Sequence, residues 1–470
     1  MLSSNNTLLQ KDMMHKKAYR RLDMENQDKK AKVINRLDTR KIVRPMVNKM
    51  YSEGVHAAKE GRPVAWSMVH WWEGDLIMRA MDVTPVYPEN YGTVCASSGA
   101  AQKYQGLSEA EGFPTHICGY ASNCLGYTVE MKKLGRIPPD APLGGMPEPS
   151  FMLGSGIGCD TRFKWFQALR RYWDVPVWVI DTPSYDIVED ITQDVHEKNI
   201  AYKRRELVLF IDFLEDLLGK KLDMDRLDEY VKNQELVFRL WWKINEMRKI
   251  RPCPVHSRDF WTLMVPGYYM TSDKESLALY QQVYDEVKAR IDAGIGAVPD
   301  EKYRLMFAEL PPWHSLDFFE RLAHRGWNFV VESQGYHPPE PMTWEPTGDV
   351  LERLARWTYW STIGHMKKAQ KKGYPLIGDF FCQAYGNWAR EYKIDGFISH
   401  SLISCRTATF WLTHIMNELK ESLNIPGMNF QGDIVDFTVF EPDEILNNAQ
   451  AFEDSMDHHR ELRKARGLGW

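Results

Sequence analysis

Residues 154–167 read GSGIGCDTRFKWFQ and show how this chain is organised. The apolar run FMLGSG at 151–156 is typical of a strand. The glycine-rich turn after it presents Cys159, and an aromatic segment typical of a helix follows. In an open α/β sheet, ligands bind beyond the carboxyl ends of the strands. We therefore interpret Cys159 as a candidate site residue at the end of a strand in a parallel sheet.

Two other cysteines follow apolar runs in the same way. Cys118 lies in THICGYASNCLGY, and Cys405 ends the stretch DGFISHSLISC. Cys159 lies 41 residues after Cys118 and 246 residues before Cys405, unlike the short CxxC pairs of zinc ribbons or ferredoxins. By spacing alone, three buried structural thiols are the simpler interpretation, and a shared metal site is the alternative.

The chain has seven cysteines, an odd number spread over 470 residues, which is unlike a disulfide framework. We expect reduced thiols, with Cys95, Cys253 and Cys382 serving as small buried hydrophobic residues. The N-terminal stretch lacks the charged start and apolar core of a secretory signal, and no apolar run approaches the ~20 residues of a membrane span. These features predict a cytoplasmic protein without a membrane partner.

The composition is that of an ordinary soluble globular protein with two or three domains. The net charge of −5 gives no case for nucleic-acid binding, although residues 1–50 hold 13 Lys/Arg against 5 Asp/Glu. We interpret that basic arm as a solvated helix that packs on an acidic partner or on the body of the protein. The 17 tryptophans indicate flat pockets or extensive interfaces, and composition does not choose between them.

The order of elements predicts an α/β fold with two parallel-sheet domains. Residues 1–60 have the pattern of a helical N-terminal arm, and residues 61–187 alternate strand and helix as in βαβ units. Residues 188–298 change to long amphipathic helices, which we interpret as a helical linker region. The alternation returns in a second α/β domain over 299–470, which again holds a cysteine at a strand end.

Several long motifs resemble, in order, the benzoyl-CoA reductase and 2-hydroxyacyl-CoA dehydratase family of iron–sulfur subunits. They are VAWSMVHWWEGDLIMRAMDVTPVYPEN, THICGYASNCLGY, PLGGMPEPSFMLGSGIGCDTRFKWFQAL and IDGFISHSLISCRTATFW. The similarity runs from about residue 60 to the C-terminus. SHSLISCRTATFW and GCDTRFKWFQALRRYWDVPVW look closer to the reductases, in particular to the B-type subunit of class I benzoyl-CoA reductases, than to the dehydratases.

The resemblance implies two flavodoxin-like or Rossmann-like domains whose strand ends hold one [4Fe–4S] cluster, or a larger double-cubane cluster. Matching the motifs places the cluster ligands at Cys118, Cys159 and Cys405, with Cys124 as an alternative to Cys118. Three thiolates leave one iron without a protein sulfur, and a substrate oxygen, water or hydroxyl can bind there.

Two polar residues near the predicted strand ends are the first candidates for catalysis. Ser67 corresponds to a serine that occupies the open position in some relatives, and an ordinary strand-end hydroxyl is an equal alternative. Glu89 lies in VTPVYPENYG at 83–92, which has the pattern of a short strand broken by Pro85 and Pro88. Because YPEN follows a family motif, we rank Glu89 first among the candidate proton donors.

His70 is a further candidate proton donor, and Glu73 and His400 lie in similar positions near strand ends. For each of them, and for Glu89, a structural hydrogen bond is the commoner role. The sequence does not decide between these roles.

The resemblance implies a catalytic iron–sulfur subunit of an ATP-dependent benzoyl-CoA reductase, which reduces an aromatic acyl-CoA by low-potential single-electron transfer during anaerobic aromatic degradation. The chain has no Walker A sequence, so ATP hydrolysis is expected on separate electron-donating activator subunits. A homologous iron–sulfur sister subunit is also expected in a hetero-oligomer. The alternatives are a 2-hydroxyacyl-CoA dehydratase subunit and a non-catalytic electron-relay subunit of the same complex.

Overall fold

The computed structural model describes residues 33–68, 72–156, 159–181, 192–332, 348–359 and 380–470. Its strands are β1 Val64–Ser67, β2 Thr84–Val86, β3 Phe151–Ser155, β4 Val177–Ile180, β5 Tyr303–Ala308, β6 Trp327–Glu332, β7 Gly396–Leu402 and β8 Gly427–Gly432. Its helices in the first half are α1 Arg40–Lys59, α2 Trp72–Ala80, α3 Pro88–Ser98, α4 Ala101–Ala110, α5 Gly119–Leu134 and α6 Asp160–Leu169. The later helices are α7 Gln193–Leu218, α8 Met224–Met247, α9 Ser257–Tyr269, α10 Lys274–Asp292, α11 Phe318–Ala323, α12 Phe380–Glu391, α13 Arg406–Thr409, α14 Leu412–Leu423 and α15 Pro442–Ala465, and residues 350–359 are also helical.

The strands in the described part of the chain form two four-stranded parallel sheets with the same order. The first sheet runs β2-β1-β3-β4 and the second runs β6-β5-β7-β8. In each sheet the chain moves from an inner strand to one edge and then returns across the sheet, as in the flavodoxin-like order. The order reverses between β1 and β3, and again between β5 and β7. The predicted α/β class with two parallel sheets and a helical N-terminal region is confirmed.

Strands β1, β5 and β6 are buried along their whole length, which explains their mostly apolar sequences. In β1, Trp66 packs edge-on against Trp173 with ring centroids 6.1 Å apart, whereas the neighbouring Ala65 lies in a second core with residues of α2 and α7. Successive side chains of a strand point to opposite faces, so a strand covered on both sides does not alternate between apolar and polar residues.

Helices α7 to α10 lie in the segment for which long helices are predicted, and α9 contacts elements of both sheets. Tyr268 on α9 stacks on Trp72 of α2, with ring centroids 5.6 Å apart. Trp261 on the same helix packs edge-on against Phe307 of β5 at 5.3 Å. Trp241 of α8 lies 5.2 Å from the Tyr268 ring. These tryptophans therefore form internal interfaces, where aromatic side chains bury a large area.

The stretch predicted as one short strand over 83–92 divides into a strand and a helix. The strand ends at Val86, and Pro88 opens α3. Proline suits the first turn of a helix because its fixed φ is helical and its missing N–H has no partner there in any case. As a result Glu89 lies in the first turn of α3 rather than on a strand. Within the described residues, no helix is long and apolar enough to cross a membrane.

Gly126→Ala tests the close packing of α4 against α5. A Cβ atom on Gly126 would lie 1.7 Å from the backbone oxygen of Tyr104, so the two helices must separate. We expect the free energy of unfolding, measured by urea denaturation, to fall by about 3 kcal/mol. Gly106→Ala is the matched control, because Gly106 has no atom within 4 Å of its Cβ position. That control should gain roughly 0.5–1 kcal/mol, and equal stability of the two variants would contradict the packing argument.

Candidate metal centre

Three cysteines occupy the same local position, immediately before the first turn of a helix. Cys118 precedes α5, Cys159 follows β3 and precedes α6, and Cys405 follows β7 and precedes α13. All three residues are partly exposed, whereas the remaining cysteines are buried. The buried cysteines are Cys95, Cys124, Cys253 and Cys382. The three predicted ligands therefore share a setting that distinguishes them from the other four.

The thiols of Cys118, Cys159 and Cys405 lie within range of one another's charges, although they come from both sheets. Burial is the main cause that raises the pKa of Cys118, and charge on Cys405 and Cys159 raises it further. Burial also raises the pKa of Cys405 to about 12, with smaller contributions from Glu309 and Cys159. The structure thus brings the three predicted ligands into one region of the molecule.

Backbone N–H groups at the helix starts oppose the effect of burial on these thiols. The amides of Ala121, Arg162 and Ala408, each three residues after a cysteine, lower the pKa of the respective thiol. The first amides of a helix have no partner inside it and favour negative charge nearby. Each sulfur therefore lies where a thiolate becomes favourable once a bound metal adds positive charge.

Cys118, Cys159 and Cys405 supply three thiols, the ligand type that iron–sulfur clusters use. Among the residues described, no group of three His, Cys, Asp or Glu side chains is placed to hold one metal ion. A structural zinc site requires such convergence, because its four ligands contact the same ion. In an iron–sulfur cluster the thiolates bind different iron atoms, so they need not meet at one point. The cluster itself stays a prediction.

The two halves of the chain touch at this centre. The amide of Gly119 donates to Ser404 Oγ at 3.1 Å, and a Cβ atom on Gly119 would lie 2.5 Å from Val435 Cγ2. Only glycine permits that approach without displacing the neighbouring chain. Nearer the surface, the Arg406 guanidinium donates to Asp160 Oδ2 at 2.9 Å. The residues that follow two of the cysteines are therefore paired with each other.

Asp433 holds the turn that carries Cys405. One carboxylate oxygen of this buried residue accepts the amide of Ser404 at 3.2 Å. The other accepts the amides of Val435 and Asp436 at 3.0 and 3.2 Å. Buried backbone N–H groups need partners. One side chain thus satisfies three amides in a segment that has left the regular strand pattern.

Among the predicted catalytic residues, Glu89 lies beside the cysteines. It accepts a hydrogen bond from Arg162 Nε at 3.3 Å. Burial is the main cause that raises the pKa of Cys118 and Cys159, and the charge on Glu89 adds to both shifts. Burial lowers the pKa of the Arg162 guanidinium, but the charges on Glu89 and Cys159 outweigh that effect and raise the pKa above its usual value. The motif alone does not single out Arg162, although its place three residues after Cys159 puts it in the first turn of α6.

Ser67 ends β1 and is fully buried. Its hydroxyl donates to Asp75 Oδ1 at 2.9 Å. Burial raises the pKa of Asp75 to about 7, against the effect of the Ser67 hydrogen bond. The hydroxyl is therefore engaged inside the first α/β unit. His70 lies outside the described residues, so its role stays a prediction.

The weaker candidates have structural surroundings. Glu73 forms a buried ion pair with Lys203 at 2.9 Å. His400 Nδ1 lies 2.7 Å from the carbonyl oxygen of Leu310, and burial lowers the pKa of this histidine to about 3. The neutral ring therefore donates to that carbonyl. Cys124 is fully buried inside α5, where burial raises its pKa.

Asp433→Ala should leave three backbone amides without an acceptor. We expect the free energy of unfolding to fall by about 3 kcal/mol and the amide of Ser404 to exchange faster with solvent. Urea denaturation and hydrogen exchange measure the two effects. Asp443→Ala is the control, since it removes only an exposed ion pair with Arg321. It should cost less than about 1 kcal/mol, and similar losses in both variants would argue against the role assigned to Asp433.

Comparison with known proteins gives one family over most of the chain. The family model described as 2-hydroxyglutaryl-CoA dehydratase, D-component, matches residues 75–456. The chain is 25% identical over 440 residues to the B subunit of benzoyl-CoA reductase from Thauera aromatica, covering 88% of this chain and 94% of that protein. It is 22% identical over 430 residues to the (R)-2-hydroxyisocaproyl-CoA dehydratase alpha subunit of Clostridioides difficile, covering 91% and 98%.

A third relative is the (R)-phenyllactyl-CoA dehydratase alpha subunit of Clostridium sporogenes. The identity is 24% over 404 residues, which cover 86% of this chain and 91% of the relative. The residues matched by the family model include all three helix-start cysteines and Glu89. The chain therefore belongs to the 2-hydroxyglutaryl-CoA dehydratase D-component family.

Proposed function

We propose that this protein is the iron–sulfur subunit of an enzyme that acts on acyl-CoA thioesters, with Cys118, Cys159 and Cys405 binding a [4Fe–4S] cluster. The observation that carries the proposal is the grouping of three partly exposed thiols at helix starts, within range of one another's charges. The names of the relatives support the substrate class, because each is a subunit of an acyl-CoA dehydratase or of benzoyl-CoA reductase.

The bound cluster would supply electrons one at a time at low potential, with one iron left open to a non-protein ligand. The Glu89 and Arg162 side chains are each only 12% exposed, so their charges act in a poorly hydrated place. A fixed guanidinium there can orient a polar group of the substrate.

Tyr120 is a second polar group suited to hold the substrate. Trp313 Nε1 donates to its hydroxyl oxygen at 2.6 Å, which leaves the tyrosine proton as a donor. Burial, with smaller effects from charge on Cys118 and Glu89, holds the pKa of Tyr120 well above its usual value. The hydroxyl therefore stays protonated and able to donate next to the thiols.

Reduction of an aromatic acyl-CoA is the reaction that we propose for this site. The cysteine motifs look closer to those of the reductases, and the buried aromatic side chains of Tyr120, Trp313 and Tyr269 lie in the same region. The pKa of Tyr269 is raised mainly by burial and next by charge on Glu89, which indicates that it lies near the Glu89–Arg162 pair.

A hetero-oligomer in the cytoplasm is part of the proposal. The relatives are named as alpha or B subunits, which implies that this chain also has companion subunits. We propose a homologous iron–sulfur sister subunit and separate ATP-hydrolysing activator subunits that donate the electrons. ATP hydrolysis is assigned to those activators because this chain has no Walker A sequence.

Dehydration of a 2-hydroxyacyl-CoA is the second candidate reaction. It is favoured by the description of the matching family and by the dehydratase relatives at 22% and 24% identity. In that reaction the electron is returned after water leaves, so the reductant acts catalytically. An electron-relay subunit that leaves substrate binding to its sister subunit is a third possibility on the same scaffold.

Cys159→Ser tests the cluster. We expect the anaerobically purified complex to lose most of its iron and acid-labile sulfide, because one of three thiolate ligands is absent. Cys253→Ser and Cys124→Ser should retain both, since these thiols are buried elsewhere. Twice the iron expected for one [4Fe–4S] cluster would indicate a double-cubane cluster. An iron-free wild type that is folded and active would overturn the proposal.

The reaction is tested by the stoichiometry of the reductant. The complete complex is incubated with MgATP and a reduced viologen dye, and either benzoyl-CoA or a 2-hydroxyacyl-CoA is added. We expect net oxidation of the dye in proportion to the benzoyl-CoA consumed. Turnover of only the 2-hydroxyacyl-CoA, without net oxidation of the dye, would instead assign the dehydratase reaction.

A further inference from the structure

Glu309 has an unusual backbone conformation at the end of a central strand. It directly follows β5, and its φ is 72°, in the left-handed region. Residues other than glycine rarely adopt this conformation, which costs free energy and persists only where the surroundings enforce it. Such residues concentrate at ligand sites and active sites. Glu309 is therefore a candidate functional residue of the second sheet.

The position of Glu309 in the sheet is that of a ligand-binding residue. The strand order of the second sheet reverses between β5 and β7, and ligands bind in the crevice at such a reversal. Glu309 ends one side of this crevice, and Cys405 follows the strand on the other side. In the first sheet, Ser67 is the last residue of β1, and Cys159 follows β3. Each crevice thus has a cysteine after one strand and a polar residue at, or directly after, the end of the other.

Two neighbours hold the Glu309 turn. The Tyr385 hydroxyl on α12 donates to Glu309 Oε1 at 2.9 Å. The neutral ring of His400 on β7 holds the carbonyl oxygen of the next residue, Leu310, at 2.7 Å. Among the described residues, Glu309 Oε2 accepts no hydrogen bond. The Tyr385 hydroxyl thus fixes one carboxyl oxygen of Glu309.

The protonation state of Glu309 suits the transfer of a proton. Burial raises its pKa to about 7, and the hydrogen bond from Tyr385 opposes that shift. The titratable groups around it are Tyr385 from α12, Cys405 from the turn after β7 and His400 from β7. Charge on Glu309 in turn raises the pKa of Cys405, for which burial is the main cause. The carboxyl group therefore lies within electrostatic range of one of the proposed cluster ligands.

We propose that Glu309 is the proton donor to the acyl-CoA bound in the crevice between β5 and β7. This proposal rests on the reductase function proposed above. For each electron that the substrate accepts from the low-potential donor, the Glu309 O–H bond breaks and a C–H bond forms on the ring. The carboxylate that remains takes up a proton from water before the next step.

Glu309→Gln tests the proposal in the complete complex with MgATP, a reduced viologen dye and benzoyl-CoA. The amide keeps the size of the side chain but supplies no acidic proton. We expect turnover to fall by about 100-fold or more, with iron content and one-electron reduction of the cluster unchanged. Glu421→Gln, an exposed residue on α14, is the control and should keep wild-type turnover.

Two further variants separate a chemical role from a structural one. Glu309→Gly suits the left-handed backbone, so it should fold at least as well as the wild type and still lose turnover. Tyr385→Phe removes the hydrogen bond that favours the carboxylate, which raises the pKa of Glu309. The alkaline limb of the kcat profile should therefore move to higher pH in Tyr385→Phe, a shift that a purely structural role would not produce.

The outcomes distinguish this proposal from the function on which it rests. The proton-donor role alone would be overturned if iron-loaded Glu309→Gln kept a turnover within about threefold of that of Glu421→Gln. Such a loss of turnover is far smaller than the loss expected when a general acid is removed. A wild-type complex that lacks iron, or that turns over no aromatic acyl-CoA, would overturn the proposed function and this role together.

Discussion

The parallel pairing of the strands is the constraint on which the rest of this structure depends. Strands that run in one direction end at a common edge, and the helices that follow them begin there. Cys159 and Cys405 are each the residue at which a strand-to-helix connection enters its helix. Two sheets of the same strand order, with their cysteine-bearing ends in contact, therefore bring together thiols that lie 246 residues apart in the chain.

Burial and the helix starts act on these thiols in opposite directions. Burial keeps Cys118, Cys159 and Cys405 protonated in the free protein, and the backbone amides after each cysteine favour the thiolate. Moving a neutral thiol out of water costs little free energy, whereas moving an unpaired thiolate out of water costs much more. Against burial, the positive charge of Arg162 also lowers the pKa of Cys159, and a bound metal would add further positive charge for all three thiolates.

The general architecture could be predicted from the sequence, because strands buried on both faces and long amphipathic helices have distinct patterns. The proximity of the cysteines could not be derived in that way. It depends on contacts such as that of the Gly119 amide with Ser404, which are far apart in sequence and carry no periodic signal. The misassigned start of α3 has a local cause, since Pro88 interrupts a strand and equally opens a helix.

Among the side chains around the centre, Glu89 could be selected because a motif contains it, whereas Asp433 and Glu309 belong to no motif identified in the sequence. Asp433 accepts hydrogen bonds from three backbone amides, and Glu309 has a left-handed backbone conformation. Both properties exist only in the folded chain.

The pairing of Gly119 with Ser404 also bears on how the protein matures. A cofactor bound by all three thiols cannot be inserted before Cys405 has been synthesised and the two sheets have come into contact. Under the proposed ligation, the cofactor would cross-link the two halves, and its binding energy would add to their stability.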